Sequence, residues 1–136
     1  MSRTYEILIV DDEPNIVELI KSILEFEDYT IRVAYNGVQA IQEVEKKQPD
    51  LIILDIMMPE MDGYEVSEKL KQNEQFKDIP IVMLTAKGKT SDMQKGYLTG
   101  VEGYISKPFN SSDLLEVIKI ILNQKEAENN EAAQNQ

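Results

Sequence analysis

Five short apolar runs, separated by stretches of helical period, restrict the fold of this chain more than any other feature. They are Ile7–Val10, Tyr29–Ala34, Leu51–Leu54, Ile81–Leu84 and Tyr104–Ser106. Ile-Leu-Ile-Val, Leu-Ile-Ile-Leu and Ile-Val-Met-Leu are continuous where a half-exposed strand would alternate, so these strands are apolar on both faces. A parallel sheet covered by helices on each side provides that environment.

The intervening stretches supply the helices. Ile16, Leu19, Ile20, Ile23 and Leu24 form a stripe after Pro14, which suits a first helical turn. Val38, Ile41 and Val44 follow Asn36-Gly37; Tyr64, Val66 and Leu70 follow Asp62-Gly63; Met93, Tyr97 and Leu98 follow Thr90. Leu114, Leu115, Ile118, Ile121 and Leu122 follow the capping candidates Asn110, Ser111 and Ser112. Strand and helix alternate five times, which predicts a doubly wound α/β domain: a five-stranded parallel sheet of order 2-1-3-4-5, flavodoxin-like in architecture. The domain is expected over residues 5–123. After Leu122 large apolar residues stop, and 124–136 reads as a frayed helix end and disordered acidic and polar tail, or as a linker stub.

Composition narrows the chemistry. The 136 residues suit one domain, and no apolar run approaches the ~20 residues of a membrane helix, so a cytoplasmic protein is expected, with no membrane partner. Cysteine and histidine are both absent, which excludes disulfides, thiolate nucleophiles, Cys- or His-ligated metals and a Ser-His-Asp triad. A net charge of −11, from 25 acids against 14 bases, repels nucleic acid, so direct nucleic-acid binding is not expected.

In an open parallel sheet, ligands bind beyond the carboxyl ends of the strands, where strand order reverses. The first run ends in Asp11-Asp12-Glu13, the third in Asp55, the fourth in Thr85 and the fifth in Lys107; the second ends in Tyr35-Asn36-Gly37, plain turn chemistry. The reversal falls between strands 1 and 3, the two that end in aspartates. Carboxylates so placed repel one another unless a cation neutralises them, and oxygen donors alone suit a hard ion, Mg²⁺ over Ca²⁺, with Mn²⁺ as an alternative. Lys107 adds a point charge and Thr85 a hydroxyl, both suited to a phosphate oxygen. Taken singly, each has an ordinary structural reading: a cap, a turn, a loop lysine, a strand-end hydroxyl. Together, a carboxylate nucleophile, a metal, a cation and a hydroxyl describe phosphoryl transfer.

The stretches ILIVDDEPN, PDLIILDIMMPEMDGYE, IPIVMLTA and GYISKPF, in that order, resemble the receiver domain of two-component response regulators over Tyr5 to about Asn123. The resemblance implies that Asp55 is the phosphorylated aspartate and that Asp12 is the direct metal carboxylate, with Asp11 beside it acting through water. It implies that Met57 lends a backbone carbonyl to the metal, and that Thr85 and Lys107 touch phosphoryl oxygens. It implies a cis bond at Pro108 and an aromatic switch at Tyr104. Asp62-Gly63 fits the family's turn before the third helix. The implied donor is a histidine kinase or a His phosphotransfer protein, since a chain without histidine cannot form its own phosphohistidine. A downstream protein would read the face formed by the helix after strand 4, strand 5 and the last helix. One departure stands out. Gly100-Val101-Glu102-Gly103-Tyr104 replaces the Gly-Ala-Asp-Asp-Tyr of many DNA-binding members, which weakens any carry-over of their phosphorylation-dependent dimer; a monomer or weak dimer is expected. Lys87 and Met57 occupy positions that vary across the family.

Other classes fit less well. A haloacid-dehalogenase-type hydrolase needs Asp-x-Asp after the first strand, and a flavin binder needs a Ser/Thr/Gly-rich loop where Asp11-Asp12-Glu13 stands. A P-loop nucleotidase needs a Gly-rich Lys-Ser/Thr loop, which the chain lacks. The expected protein is therefore a phosphate-accepting switch rather than a turnover enzyme. It acts either alone or as the amino-terminal part of a longer regulator.

Overall fold

The structure, a computed structural model, describes residues 4–86 and 100–134. In chain order the elements are β1 (Glu6–Val10), α1 (Pro14–Glu25), β2 (Thr30–Ala34), α2 (Gly37–Lys46), β3 (Leu51–Asp55), α3 (Gly63–Lys71), β4 (Ile81–Ala86), β5 (Gly103–Lys107) and α4 (Ser111–Gln134). The helix expected from Met93, Tyr97 and Leu98 lies outside the described residues. All strand pairs are parallel and the order is β2-β1-β3-β4-β5, as the alternation predicts.

Two apolar clusters explain the continuous runs. Ile7, Ile9, Leu51, Ile53, Val82 and Leu84 point to one face and pack with α1 and α4. Leu8, Val10, Ile52, Leu54, Ile81 and Met83 point to the other and pack with α2 and α3. Successive side chains on a strand leave opposite faces, so strands covered on both sides are apolar at every position.

Helix phase differs in detail from the sequence expectation. In α1 the buried positions are Val17, Ile20, Ile23 and Leu24, whereas Leu19 is 48% exposed. In α2 they are Gly37, Ala40 and Val44, and Val38 is 52% exposed. Gly37 and Ala40 face the core because that helix lies close to its neighbours: a Cβ on Gly37 would stand 2.9 Å from the Met61 side chain. The capping signals act as expected. The Asn36, Asp62 and Asn110 side chains accept from the Gln39, Glu65 and Asp113 amides at 2.8, 3.0 and 2.8 Å.

Beyond Leu122, where a frayed helix end and a polar tail or linker stub are expected, α4 continues to Gln134. Lys, Glu, Ala and Gln are strong helix formers, and a helix already nucleated on the core extends without a new nucleation step. No helix among the described residues is long and apolar enough to cross a membrane.

Candidate functional site

The site lies beyond the carboxyl ends of β1, β3, β4 and β5. Each strand is held in register by its neighbours: Val10 pairs with Leu54, Asp55 with Leu84 and Ala86 with Lys107. This register brings the strand-end residues together without help from a long loop.

Asp11, Asp12 and Asp55 form one acidic group, with a carboxylate oxygen of each within 4.8 Å of the others. Asp11 is fully buried and Asp55 is 3% exposed, while Asp12 opens to solvent. The Glu13 amide donates to Asp11 Oδ1 at 2.9 Å and fixes that side chain at the start of α1. Lys107 reaches both buried acids: its Nζ donates to Asp55 Oδ1 at 3.1 Å and to Asp11 Oδ2 at 3.2 Å. One ammonium thus faces three carboxylates.

That imbalance shows in the protonation equilibria. Burial, then the neighbouring Asp11 charge, pushes the Asp55 carboxyl from an ordinary 3.8 up to about 6, against the opposing pull of Lys107. Burial disfavours the charged form of Lys107, but the Asp55 and Asp11 carboxylates outweigh it and raise the pKa. An acid raised on folding binds its proton more tightly in the native state. Its ionisation therefore costs stability as pH rises from about 4 through about 6, and the full cost remains above that window. In magnesium-free buffer, Asp55→Asn is accordingly expected to be more stable than the parent at pH 7, by up to about 3 kcal/mol, the advantage shrinking toward pH 4. Urea unfolding at several pH values checks this; a difference independent of pH counts against the raised carboxyl.

The donor set fits a hard divalent cation: oxygen ligands only, two of them buried, with more negative charge than the lysine neutralises. Asp11, Asp12 and Asp55 could hold such an ion. Met57 stands two residues past Asp55 and is 67% exposed. Thr85 stands next to last in β4, one residue beyond the partner of Asp55; it is buried, and its hydroxyl donates to the Ala86 carbonyl at 3.3 Å. Tyr104 pairs with Met83 on β5 and is partly buried against the α2–α3 cluster. The Lys107–Pro108 peptide bond is cis, as the resemblance implies. Lys87 lies outside the described residues.

Gly63 belongs to the support of this site, although its sequence context marks it only as a turn former. Its amide donates to the Ile56 carbonyl at 2.9 Å, and a Cβ there would stand 2.5 Å from the Asp55 carbonyl oxygen. The available signal was a glycine directly after a capping aspartate, at a point where α3 meets the end of β3 backbone to backbone.

Known proteins resemble this geometry. A model of the family described as response regulator receiver domain matches residues 7–119. The response regulator Rre1 of Synechocystis sp. is 37% identical over 128 residues, covering 93% of this chain and 55% of that protein. A crystal structure of NtrX from Brucella abortus matches 97% of this chain and 30% of its own, with a TM-score of 0.91 and 26% identity. The separate NtrX receiver domain from the same organism matches 86% and 98%, with a TM-score of 0.81 and 29% identity. The chain spans about half the length of the curated relatives it matches. Sequence, strand order and strand-end residues agree: this chain belongs to the response regulator receiver domain family of two-component signalling.

Proposed function

We propose that Asp55 accepts a phosphoryl group from the phosphohistidine of a histidine kinase or His phosphotransfer protein. The observation that carries this reading is the Lys107 ammonium bridging buried Asp11 and Asp55 beside Asp12. The Asp55 carboxylate attacks phosphorus; an O–P bond forms as the N–P bond breaks, and the electron pair leaves with the donor imidazole. Asp12, Asp55, Asp11 and the Met57 carbonyl are the groups that would hold Mg²⁺ (Mn²⁺ as an alternative). The ion would offset the negative charge of the incoming group. Lys107 follows the phosphoryl oxygens as a flexible point charge, and the Thr85 hydroxyl turns to donate to them. The direct test is chemical. With Mg²⁺ and a small acyl phosphate the chain should gain one labile phosphoryl group, and a chain that stays unlabelled sinks the reading.

The metal assignment has a separate check. A ligand bound only by the native state raises stability by mass action, whereas crowded acids without the ion strain the fold. Asp12→Ala is expected to be at least as stable as the parent without metal, yet to show no Mg²⁺-dependent rise in melting temperature. A normal Mg²⁺ response in that variant refutes the assignment.

The output is a packing switch. Once Asp55 carries the phosphoryl group, Thr85 moves toward it and Tyr104 on the neighbouring strand turns inward. A downstream protein then reads the face of β5 and α4; the helix expected to complete that face lies outside the described residues. Two-dimensional NMR with beryllofluoride and Mg²⁺ tests this: shifts confined to the acids, with the Tyr104 ring unchanged, would defeat it. The protein acts in the cytoplasm, as a monomer or weak dimer, and its net charge of −11 argues against direct duplex binding by this chain. Curated relatives about twice as long favour a second reading, in which the same receiver works within a longer regulator.

A further inference from the structure

The carboxyl half of α4 poses a question that the phosphoryl site leaves open. From Asn123 onward its sequence is polar on every side, and a helix without an apolar face has little reason to persist at the edge of a domain. Yet the buried stripe of Leu114, Ile118, Ile121 and Leu122 does not simply stop. One turn on, at i+4 from Ile121 and Leu122, stand Lys125 and Glu126, each half-buried while Asn123, Gln124, Ala127 and Glu128 are exposed. Both are anchored. The Tyr5 hydroxyl donates to Glu126 Oε2 at 2.7 Å, and Lys125 Nζ donates to the Asp50 carbonyl at 3.3 Å.

The two seats are themselves firmly placed. Tyr5 precedes β1 and packs against the α1–α4 cluster. Asp50 precedes β3; its amide donates to the Glu6 carbonyl at 2.8 Å, and its carboxylate accepts from the Glu6 amide at 2.8 Å. The anchors therefore sit at the amino ends of the two central strands whose carboxyl ends carry the acids. The match to NtrX bears on the same stretch. At 97% coverage only about four of 136 residues fall outside it, so most of 123–134 is included, whereas the separate receiver leaves about nineteen unmatched.

We propose that Tyr5 and the Asp50 carbonyl form a seat that clamps α4 at Lys125 and Glu126 to the amino edge of the sheet. This makes residues 111–131 one continuous rod and sets the direction in which the chain leaves the domain. The clamp is independent of the phosphoryl chemistry at the opposite edge.

Amide hydrogen exchange on the full chain tests it. In the parent, residues 123–131 are protected together with 111–122. Tyr5→Phe keeps the aromatic packing but removes a hydrogen bond to a charged acceptor, and should speed exchange in 123–131 by about tenfold while 111–121 stay unchanged. Lys125→Met, which keeps the stem and the helix propensity, should act in the same direction, and the double variant further. Glu126→Gln retains an acceptor and should stay near the parent. Unchanged protection of 111–121 establishes that each variant is folded. Exchange of 123–131 at unprotected rates in the parent overturns the rod. Full protection in the Tyr5→Phe, Lys125→Met double variant overturns the clamp.

Discussion

Asp55→Asn should remove all phosphoryl uptake in the presence of Mg²⁺ and a small acyl phosphate, while the parent acquires a single labile group. The two side chains are nearly the same size, so Lys107 and Asp11 lose little packing. What disappears is the anionic oxygen that can bond to phosphorus and one of the charges that would hold the ion. Asp12→Ala is not equivalent, since it removes a proposed metal ligand and leaves the proposed nucleophile. Intact-mass spectrometry read before and after mild base, which hydrolyses an acyl phosphate, distinguishes the variants. Labelling of Asp55→Asn at the parent's level would transfer the assignment to another group.

The second large effect is structural. Gly63→Ala should lower the free energy of unfolding by roughly 2–4 kcal/mol, because the added methyl has nowhere to go. Its Cβ would lie 2.5 Å from the Asp55 carbonyl oxygen and 2.8 Å from the Ile56 Cα. Both contacts are backbone, so relief requires α3 to move off the end of β3, taking the Gly63–Ile56 hydrogen bond with it. Gly103→Ala serves as the comparison. There the nearest atom is the terminal methyl of Ile121 at 3.1 Å, which can rotate, and a cost under about 1 kcal/mol is expected. Urea midpoints at constant slope report both. Equal stability of Gly63→Ala and the parent would contradict the close approach.

These two positions mark the limits of what the sequence discloses. Asp55 is legible because continuous apolar runs announce strands buried on both faces, and a parallel sheet brings the residues after each run to one edge. Asp11, Asp12, Thr85 and Lys107 are found by the same logic, although the hydrogen bond from the Glu13 amide that fixes Asp11 is not. Gly63 is legible only as a turn, since its constraint comes from a backbone 7 residues away in sequence that must first be folded into place. Helix existence follows from period, but helix phase does not. Three or four apolar residues in ten leave the buried arc uncertain, and in α2 the smallest side chains, Gly37 and Ala40, face the core because the neighbouring Met61 comes close. The seating of the polar half of α4 is not legible in composition, because its anchors, Tyr5 and Asp50, stand 121 and 75 residues away.

Strand order also distributes stiffness across the site. β1, β3 and β4 are interior strands, each bonded on both sides, and they carry Asp11, Asp12, Asp55 and Thr85 at their ends. β5 is an edge strand, bonded only to β4, and it carries Lys107 and Tyr104. Interior strands resist displacement through two ladders of hydrogen bonds, an edge strand through one. The negative wall of the site is thus mounted on the rigid part of the sheet and its cation on the compliant part. If Asp55 gains charge as proposed, the element expected to yield is the one holding the lysine, and Tyr104, three residues upstream on that strand, would share in the displacement.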